Sequence, residues 1–346
     1  MDKIAVAILG ASGYTGAELV RMLLRHPRMH IKALTADRKA GSTMAEAFPQ
    51  FYGFDLPRLV TIAEVDWRGI DLVFCALPHA TTQAVLKDVP ARIKIVDLSA
   101  DFRLADPAAY EKWYGHPHAA LDLQREAVYG ITEFARDKVA KARLVANPGC
   151  YTTAGQLPVI PLLEAGAIDP DRIVIDAKSG VSGAGRAAKE ANLFTEVSEG
   201  FHAYGVGHHR HMAELDQGFS AAAGRPVVAS FTPHLLPQNR GIEATIYVDC
   251  VAGKTPRDLH DILAARFAGE EFVKVLPFGT VPHTRHVRGS NYVHMSVFAD
   301  RQPGRAILLC VIDNLIKGAS GQALQNANVM FGLPETMGVD QIALFP

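Results

Sequence analysis

The feature that most constrains this chain is a glycine-spaced loop, Gly10-Ala11-Ser12-Gly13-Tyr14-Thr15-Gly16, close to its start. The apolar run of residues 3–9 leads into it, and residues 14–24 carry apolar side chains at helical spacing, so the opening reads strand, tight turn, helix. Glycines there let a backbone approach a pyrophosphate, and the N–H groups of the helix start bind its charge. Gly10, Gly13 and Gly16, with Ser12, Tyr14 and Thr15 between and beside them, are therefore candidate cofactor contacts. The spacing is GxxGxxG rather than GxGxxG, so a plain strand-to-helix turn is the competing reading.

Further apolar runs at 30–35, 70–77, 93–98 and 143–146 alternate with stretches of helical character such as 81–87. That alternation implies a parallel, doubly wound sheet of Rossmann type. After about residue 150 the strand-like segments 172–177, 227–232, 242–249, 292–299 and 306–312 follow with fewer helices between them, several in period-two alternation. They favour a mixed or antiparallel sheet. Gly and Pro cluster at 179–186 and 280–290, which read as loops, and 314–331 reads as the last strong helix. A length of 346 residues accommodates about two domains.

Charge excludes some function classes. Thirty-five Lys and Arg stand against 36 Asp and Glu, a net charge of −1, so no global field draws nucleic acid or an anionic membrane, and any phosphate must be held by specific loops. The opening apolar run is too short to span a bilayer. The four cysteines, Cys75, Cys150, Cys250 and Cys310, show no CxxC spacing, which argues against a disulfide framework or structural zinc. A reducing cytoplasm is the expected compartment.

Past the second strand, Asp37 suits a free ribose 2′-hydroxyl, whereas Arg38 and Lys39 suit a 2′-phosphate; two cations beside one acid favour NADP(H), and a solvated turn is the alternative. Asn147-Pro148-Gly149-Cys150-Tyr151 lies between an apolar strand and a segment able to start a helix. A helix N-terminus stabilises a thiolate, so Cys150 is the candidate nucleophile, an inert thiol being the alternative, while Cys75, Cys250 and Cys310 sit in apolar runs and read as small core residues. Gly207-His208-His209-Arg210-His211 is the densest titratable cluster. His202 and Glu214 do not complete a recognised metal spacing with it, and an imidazole with a pKa near neutrality suits general acid/base chemistry beside a cysteine; a solvated polar turn is the alternative. Residues 178–186 form a second glycine-rich loop, in which Ser182 and Gly183 are candidate cofactor contacts and Arg186 adds charge; a flexible linker is the alternative.

Taken in order, GASGYTG at 10–16, ALPH at 76–79, LSADFR at 98–103, NPGCY at 147–151, HRH at 209–211 and KGASGQALQNAN at 317–328 resemble the N-acetyl-gamma-glutamyl-phosphate reductases of arginine biosynthesis, within the aspartate-semialdehyde dehydrogenase-like superfamily. The aspartate-semialdehyde dehydrogenases themselves typically lack the Pro-Gly-Cys-Tyr and HRH elements. Met212-Ala213-Glu214 departs from the family's usual Thr-Pro-Glu. The resemblance implies a nucleophilic Cys150 and acid/base His209, with Arg103 for substrate phosphate and Arg210 or His211 for its carboxylate. It also implies that the C-terminal helix returns to the nucleotide-binding domain, with Asn326 near the nicotinamide. The expected division is a discontinuous NADP-binding domain, 1–147 with 319–346, and an inserted α+β catalytic and oligomerisation domain, 148–318, in a homodimer or homotetramer.

Overall fold

A computed structural model describes residues 3–345. The chain separates into two units, one running to Pro148 and joined by Ala319–Asp340, the other comprising Gly149–Gly318 and the described residues from Gln341 onward. That last stretch was expected with the first unit. It groups with the second instead, where Leu344 donates its N–H to the carbonyl of Arg288 at 2.9 Å.

The first unit is built on seven parallel strands: β1 (Ile4–Leu9), β2 (Met29–Thr35), β3 (Leu59–Val60), β4 (Leu72–Cys75), β5 (Lys94–Asp97), β6 (Val128–Tyr129) and β7 (Leu144–Ala146). Their order is β3-β2-β1-β4-β5-β7-β6, and every pairing is parallel. Sequence reading finds five of these. β3 and β6 are edge strands of two residues each, too short to display any period. Ala7, Leu9, Val73, Cys75, Ile95, Leu144 and Ala146 are buried in one core cluster, as expected of strands covered on both faces.

The second unit holds β8 (Val174–Gly180), β9 (His202–Ala203), β10 (Ser230–Leu236), β11 (Ile242–Asp249), β12 (Val273–Val275), β13 (Val293–Ala299) and β14 (Arg305–Ile312), in the order β12-β13-β14-β11-β8-β10-β9. The sheet is mixed: β8/β10 and β12/β13 are parallel, the other pairs antiparallel. One face buries Ile175, Ala177, Ala244, Ile246, Leu308 and Cys310. The helix Cys150–Glu164 packs on β11 and β14, with helices His211–Ala223 and Pro256–Arg266 beside it. On the alternate positions Asp176, Lys178, Thr232, Thr245, Tyr247 and Leu309 stay half-exposed. β8 and β10 extend past their expected ends because Lys178, His234 and Leu236 continue this half-exposed alternation, which a search for apolar runs overlooks.

The segment expected as one helix at 314–331 is two pieces, a π-type turn Ile316–Ser320 and the helix Gly321–Met330. Among the described residues no helix is long and apolar enough to cross a membrane.

Candidate active site

Four of the motifs sit at the carboxyl ends of four adjacent strands: Gly10 follows β1, Ala76 follows β4, Leu98 follows β5 and Asn147 follows β7. Open parallel sheets bind ligands along that edge. Gly10 adopts φ +84°, and a Cβ there would stand 2.5 Å from the Ala76 carbonyl oxygen; a Cβ on Gly16 would stand 2.5 Å from that of Gly10. Only glycine fits either position. The end of β2 holds the loop, Thr35 Oγ1 accepting from Gly10 N–H at 3.1 Å and its carbonyl from Ala11 N–H at 2.8 Å. The helix Tyr14–Leu23 has no side-chain cap and no acidic residue in its first turn, which leaves its N-terminal N–H groups and dipole to an anion. This cradle fits a dinucleotide pyrophosphate. Asp37, Arg38 and Lys39 are exposed just beyond β2.

In the second unit Cys150 is the first residue of the helix Cys150–Glu164, with Gly149 as an N-cap that offers no side chain. Two glycines admit its neighbours. A Cβ on Gly318 would lie 2.8 Å from Cys150 Cβ, and one on Gly149 would lie 2.5 Å from His211 Nε2. Glu214 is fully buried; its Oε2 accepts from Gly149 N–H and from the Thr152 hydroxyl, each at 3.1 Å, and its Oε1 lies 3.9 Å from His211 Nε2.

His209 stands next to His211, ring centroids 4.7 Å apart. Its Nδ1 accepts the backbone N–H of His211 at 3.2 Å, so the neutral ring carries its proton on Nε2. Tyr151, Tyr204 and Phe231 enclose it with centroids at 5.8, 5.4 and 5.5 Å. Burial lowers its pKa to about 4, Glu214 opposing the shift. This corrects the expectation of titration near neutrality: packing against aromatic rings disfavours the imidazolium. Tyr204 donates its hydroxyl to that of Tyr151, and Tyr151 to the His234 carbonyl, each at 3.1 Å; burial pushes both phenols up. The second glycine loop is a 3₁₀ turn, Val181–Ala184, rather than a flexible linker. Ser182 Oγ accepts from Asn314 Nδ2 at 2.9 Å, and Asn314 Oδ1 accepts Gly241 N–H at 2.8 Å. A Cβ on Gly183 would lie 3.1 Å from Ser179 Oγ.

Comparison with known proteins places this geometry. Residues 5–142 match the family described as semialdehyde dehydrogenase, NAD binding domain, and residues 150–314 match semialdehyde dehydrogenase, dimerisation domain. The N-acetyl-gamma-glutamyl-phosphate reductase of Afipia carboxidovorans is 66% identical, covering 99% of this chain and 99% of its own. That of Rhodospirillum rubrum is 62% identical, covering 100% and 99%. The chain belongs to the N-acetyl-gamma-glutamyl-phosphate reductase family. In fold this reductase-family chain is similar to the crystal structure of aspartate semialdehyde dehydrogenase II from Vibrio cholerae complexed with ASA, with a TM-score of 0.71 at 17% identity over 96% of this chain and 99% of that one. Its first unit thus carries an NAD(P)-binding domain and its second a dimerisation domain.

Other residues singled out in this family member take these places in the fold. Asn326 is fully buried, its Nδ2 donating to Gly130 O at 2.8 Å and Asn147 Oδ1 at 3.2 Å while its Oδ1 accepts from Thr132 Oγ1 at 2.8 Å. Both amide protons fasten backbone and loop. Arg103 is 8% exposed, with Nη2 donating to Leu98 O at 2.9 Å, and its charge favours ionisation of Asp97, whose carboxyl burial pushes up to about 7. Arg210 is the exposed N-cap residue of helix His211–Ala223. Cys75 and Cys310 are buried with raised thiol pKa values, but Cys250, expected in the core, is half-exposed at the end of β11. The main omissions from sequence reading are Glu214 as a support of the Gly149–Thr152 turn, Gly318 and Tyr204. Only the first left a signal, the i, i+3 spacing of His211 and Glu214 on a helix.

Proposed function

We propose that this chain reduces N-acetyl-gamma-glutamyl phosphate to N-acetylglutamate 5-semialdehyde with NADPH, a step of arginine biosynthesis, through a thioester on Cys150. The observation that carries the reading is Cys150 at an uncapped helix start, close-packed with Gly318, with the His209 ring against the next residue, Tyr151, and His211 against the preceding one, Gly149. The helix N-terminus favours the thiolate. Sγ attacks the acyl carbon, the bond to the phosphate oxygen breaks, and phosphate leaves with that electron pair. A reduced nicotinamide cofactor, held by the loop Gly10–Gly16, would supply the hydride that reduces the thioester carbonyl carbon. His209 Nε2–H donates a hydrogen bond to the resulting oxyanion, which re-forms the carbonyl as the C–S bond breaks, returning that bond's electron pair to Sγ and releasing the aldehyde.

The loop Gly10–Gly16 is assigned to the cofactor pyrophosphate and Arg38 and Lys39 to a 2′-phosphate, which favours NADP over NAD. Ser182 and Gly183 serve as a second cofactor contact, and Asn326 acts by positioning Asn147. Arg103 is assigned to substrate phosphate, and Arg210 or His211 to substrate carboxylate. The half-exposed face of the second sheet is the surface on which two copies pair, in a homodimer or a homotetramer built from such dimers. Four free thiols suit a reducing cytoplasm.

The deciding experiment follows NADPH formation from N-acetylglutamate semialdehyde, phosphate and NADP, with aspartate semialdehyde as competitor. Preference for the acetylated substrate and loss of turnover in Cys150→Ala, with NADPH still bound, are expected. Equal or better use of aspartate semialdehyde would replace the substrate, and full activity in Cys150→Ala would sink the mechanism.

A further inference from the structure

Asp313, the residue after β14, is fully buried within the second unit. Its Oδ1 accepts the N–H groups of Leu315 and Ile316 at 2.8 and 3.1 Å. Its Oδ2 accepts the N–H of Gly289 at 2.7 Å and Nη1 of Arg240 at 3.3 Å. Donors thus converge on both oxygens, a set that a carboxylate satisfies and an amide, with one acceptor oxygen, does not. Burying a carboxylate is costly unless hydrogen bonds offset its lost hydration, and the end of a strand by itself does not require one.

The main chain of Asp313 adds a link to Cys150. Its carbonyl accepts Gly318 N–H at 2.9 Å, an i to i+5 bond that makes the turn Ile316–Ser320 π-type rather than α-helical. Single π turns are rare and frequently mark functional sites. This one delivers Gly318 to the start of the helix Cys150–Glu164, where an added Cβ would meet Cys150 Cβ at 2.8 Å and Cα at 3.2 Å. A slip of one residue would set a side chain against Cys150 in place of bare backbone. The adjoining Asn314 joins the Ser182 hydroxyl and the Gly241 N–H, so two consecutive buried side chains tie this turn to three other segments of the unit.

We propose that Asp313 is a positioning residue for the thiol chemistry: by holding the turn in its π form it keeps Gly318 against Cys150 and fixes where Sγ stands for attack on the acyl carbon. The inference rests on the thioester reading above. Asp313→Asn keeps the shape but turns an NH2 group toward one pair of donors. In the reverse assay kcat is expected to fall about tenfold to a hundredfold, with both KM values and NADPH affinity changed by less than about twofold. A merely structural role would lower the denaturation midpoint and leave the kcat of the folded variant unchanged. Combination with Gly318→Ala completes a double-mutant cycle. If Asp313 acts through Gly318, the double variant is no slower than Gly318→Ala alone, whereas independent losses multiply. Should Asp313→Asn not fold, Arg240→Gln loosens the same carboxylate from its partly exposed side, with an expected kcat loss of about threefold and the same cycle. Wild-type kcat in the folded variant, or losses that multiply, overturns the inference and leaves the reaction standing. Alkylation of Cys150 by iodoacetamide needs no substrate and separates the two failures. A wild type inactive in the reverse assay, whose alkylation rate changes severalfold in Asp313→Asn and no further in the double variant, overturns the reaction and keeps the positioning role.

Discussion

A Cβ added to Gly318 would stand 2.8 Å from the Cβ of Cys150. The backbone following Asp313 thus abuts the proposed nucleophile, and it stays close because residue 318 has no side chain. Gly318→Ala forces the helix start or the 316–320 turn to move. Misplacing a reacting atom by about 1 Å costs on the order of a hundredfold in rate, so kcat/KM is expected to fall by about that factor while NADPH affinity, read by fluorescence titration, changes little. Wild-type kinetics would show that the turn yields freely.

On the role proposed for His209, that residue and Glu214 set the acid limit of turnover. Burial lowers the pKa of His209 to about 4 while Glu214 raises it, so the imidazole is neutral at pH 7 and charges only in acid. Glu214→Gln removes the charge that favours the imidazolium, which lowers that pKa further. The acid limb of the kcat profile should therefore move to lower pH. An upward move would contradict the assignment. The same variant offers Gly149 and Thr152 one carbonyl oxygen in place of a carboxylate, with an expected stability loss of about 1–3 kcal/mol in denaturant titrations.

Gly16→Ala separates the cofactor cradle from the thiol chemistry. Its new Cβ would meet Gly10 O at 2.5 Å and Ala11 Cα at 2.6 Å, both backbone atoms that cannot swing aside. Overpacking costs about 1–3 kcal/mol, which as a binding loss is roughly fivefold to 150-fold. NADPH affinity is expected to drop by that much, while alkylation of Cys150 by iodoacetamide keeps its wild-type rate. Slower alkylation would reveal damage beyond the loop.

Asp97 makes stability depend on pH. Burial raises its pKa to about 7, with the Ser99 hydroxyl and N–H opposing. Between the unfolded value near 4 and the folded value, the native state binds the extra proton, so this group's contribution falls as pH rises through that window and is constant above it. Asp97→Asn removes the slope. Its stability relative to wild type should rise by up to a few kcal/mol between about pH 4 and pH 7, measured by urea denaturation across that range. A parallel pair of curves would show that Asp97 is ionised in the native state.

Local chemistry left the clearest marks in the sequence. The glycine loop, the helix beginning at Cys150 and the five longer strands of the first sheet were legible because glycine sterics, helix starts and apolar periodicity act over a few neighbouring residues. The two-residue strands β3 and β6 carried no such period. The helix expected at 314–331 was misread for a related reason: 316–320 keeps an apolar, helix-compatible composition, yet Asp313 captures the N–H groups of Leu315, Ile316 and Gly318 and reshapes the turn.

By itself, then, the sequence determined a doubly wound first unit with a phosphate cradle, a mixed sheet after it, and which cysteine opens a helix. Tertiary structure alone decided that His209 is neutral, that Asn326 holds Asn147 through a fully used amide, and that Gly318 meets Cys150. It also brought Arg240 and Gly289 to the Asp313 carboxylate and placed Glu214 under the Gly149 N–H, 65 residues away in the chain. The division follows from range. Backbone sterics and helix capping are settled within a turn or two, whereas burial, desolvation and hydrogen bonds between distant segments exist only once the chain has folded back on itself.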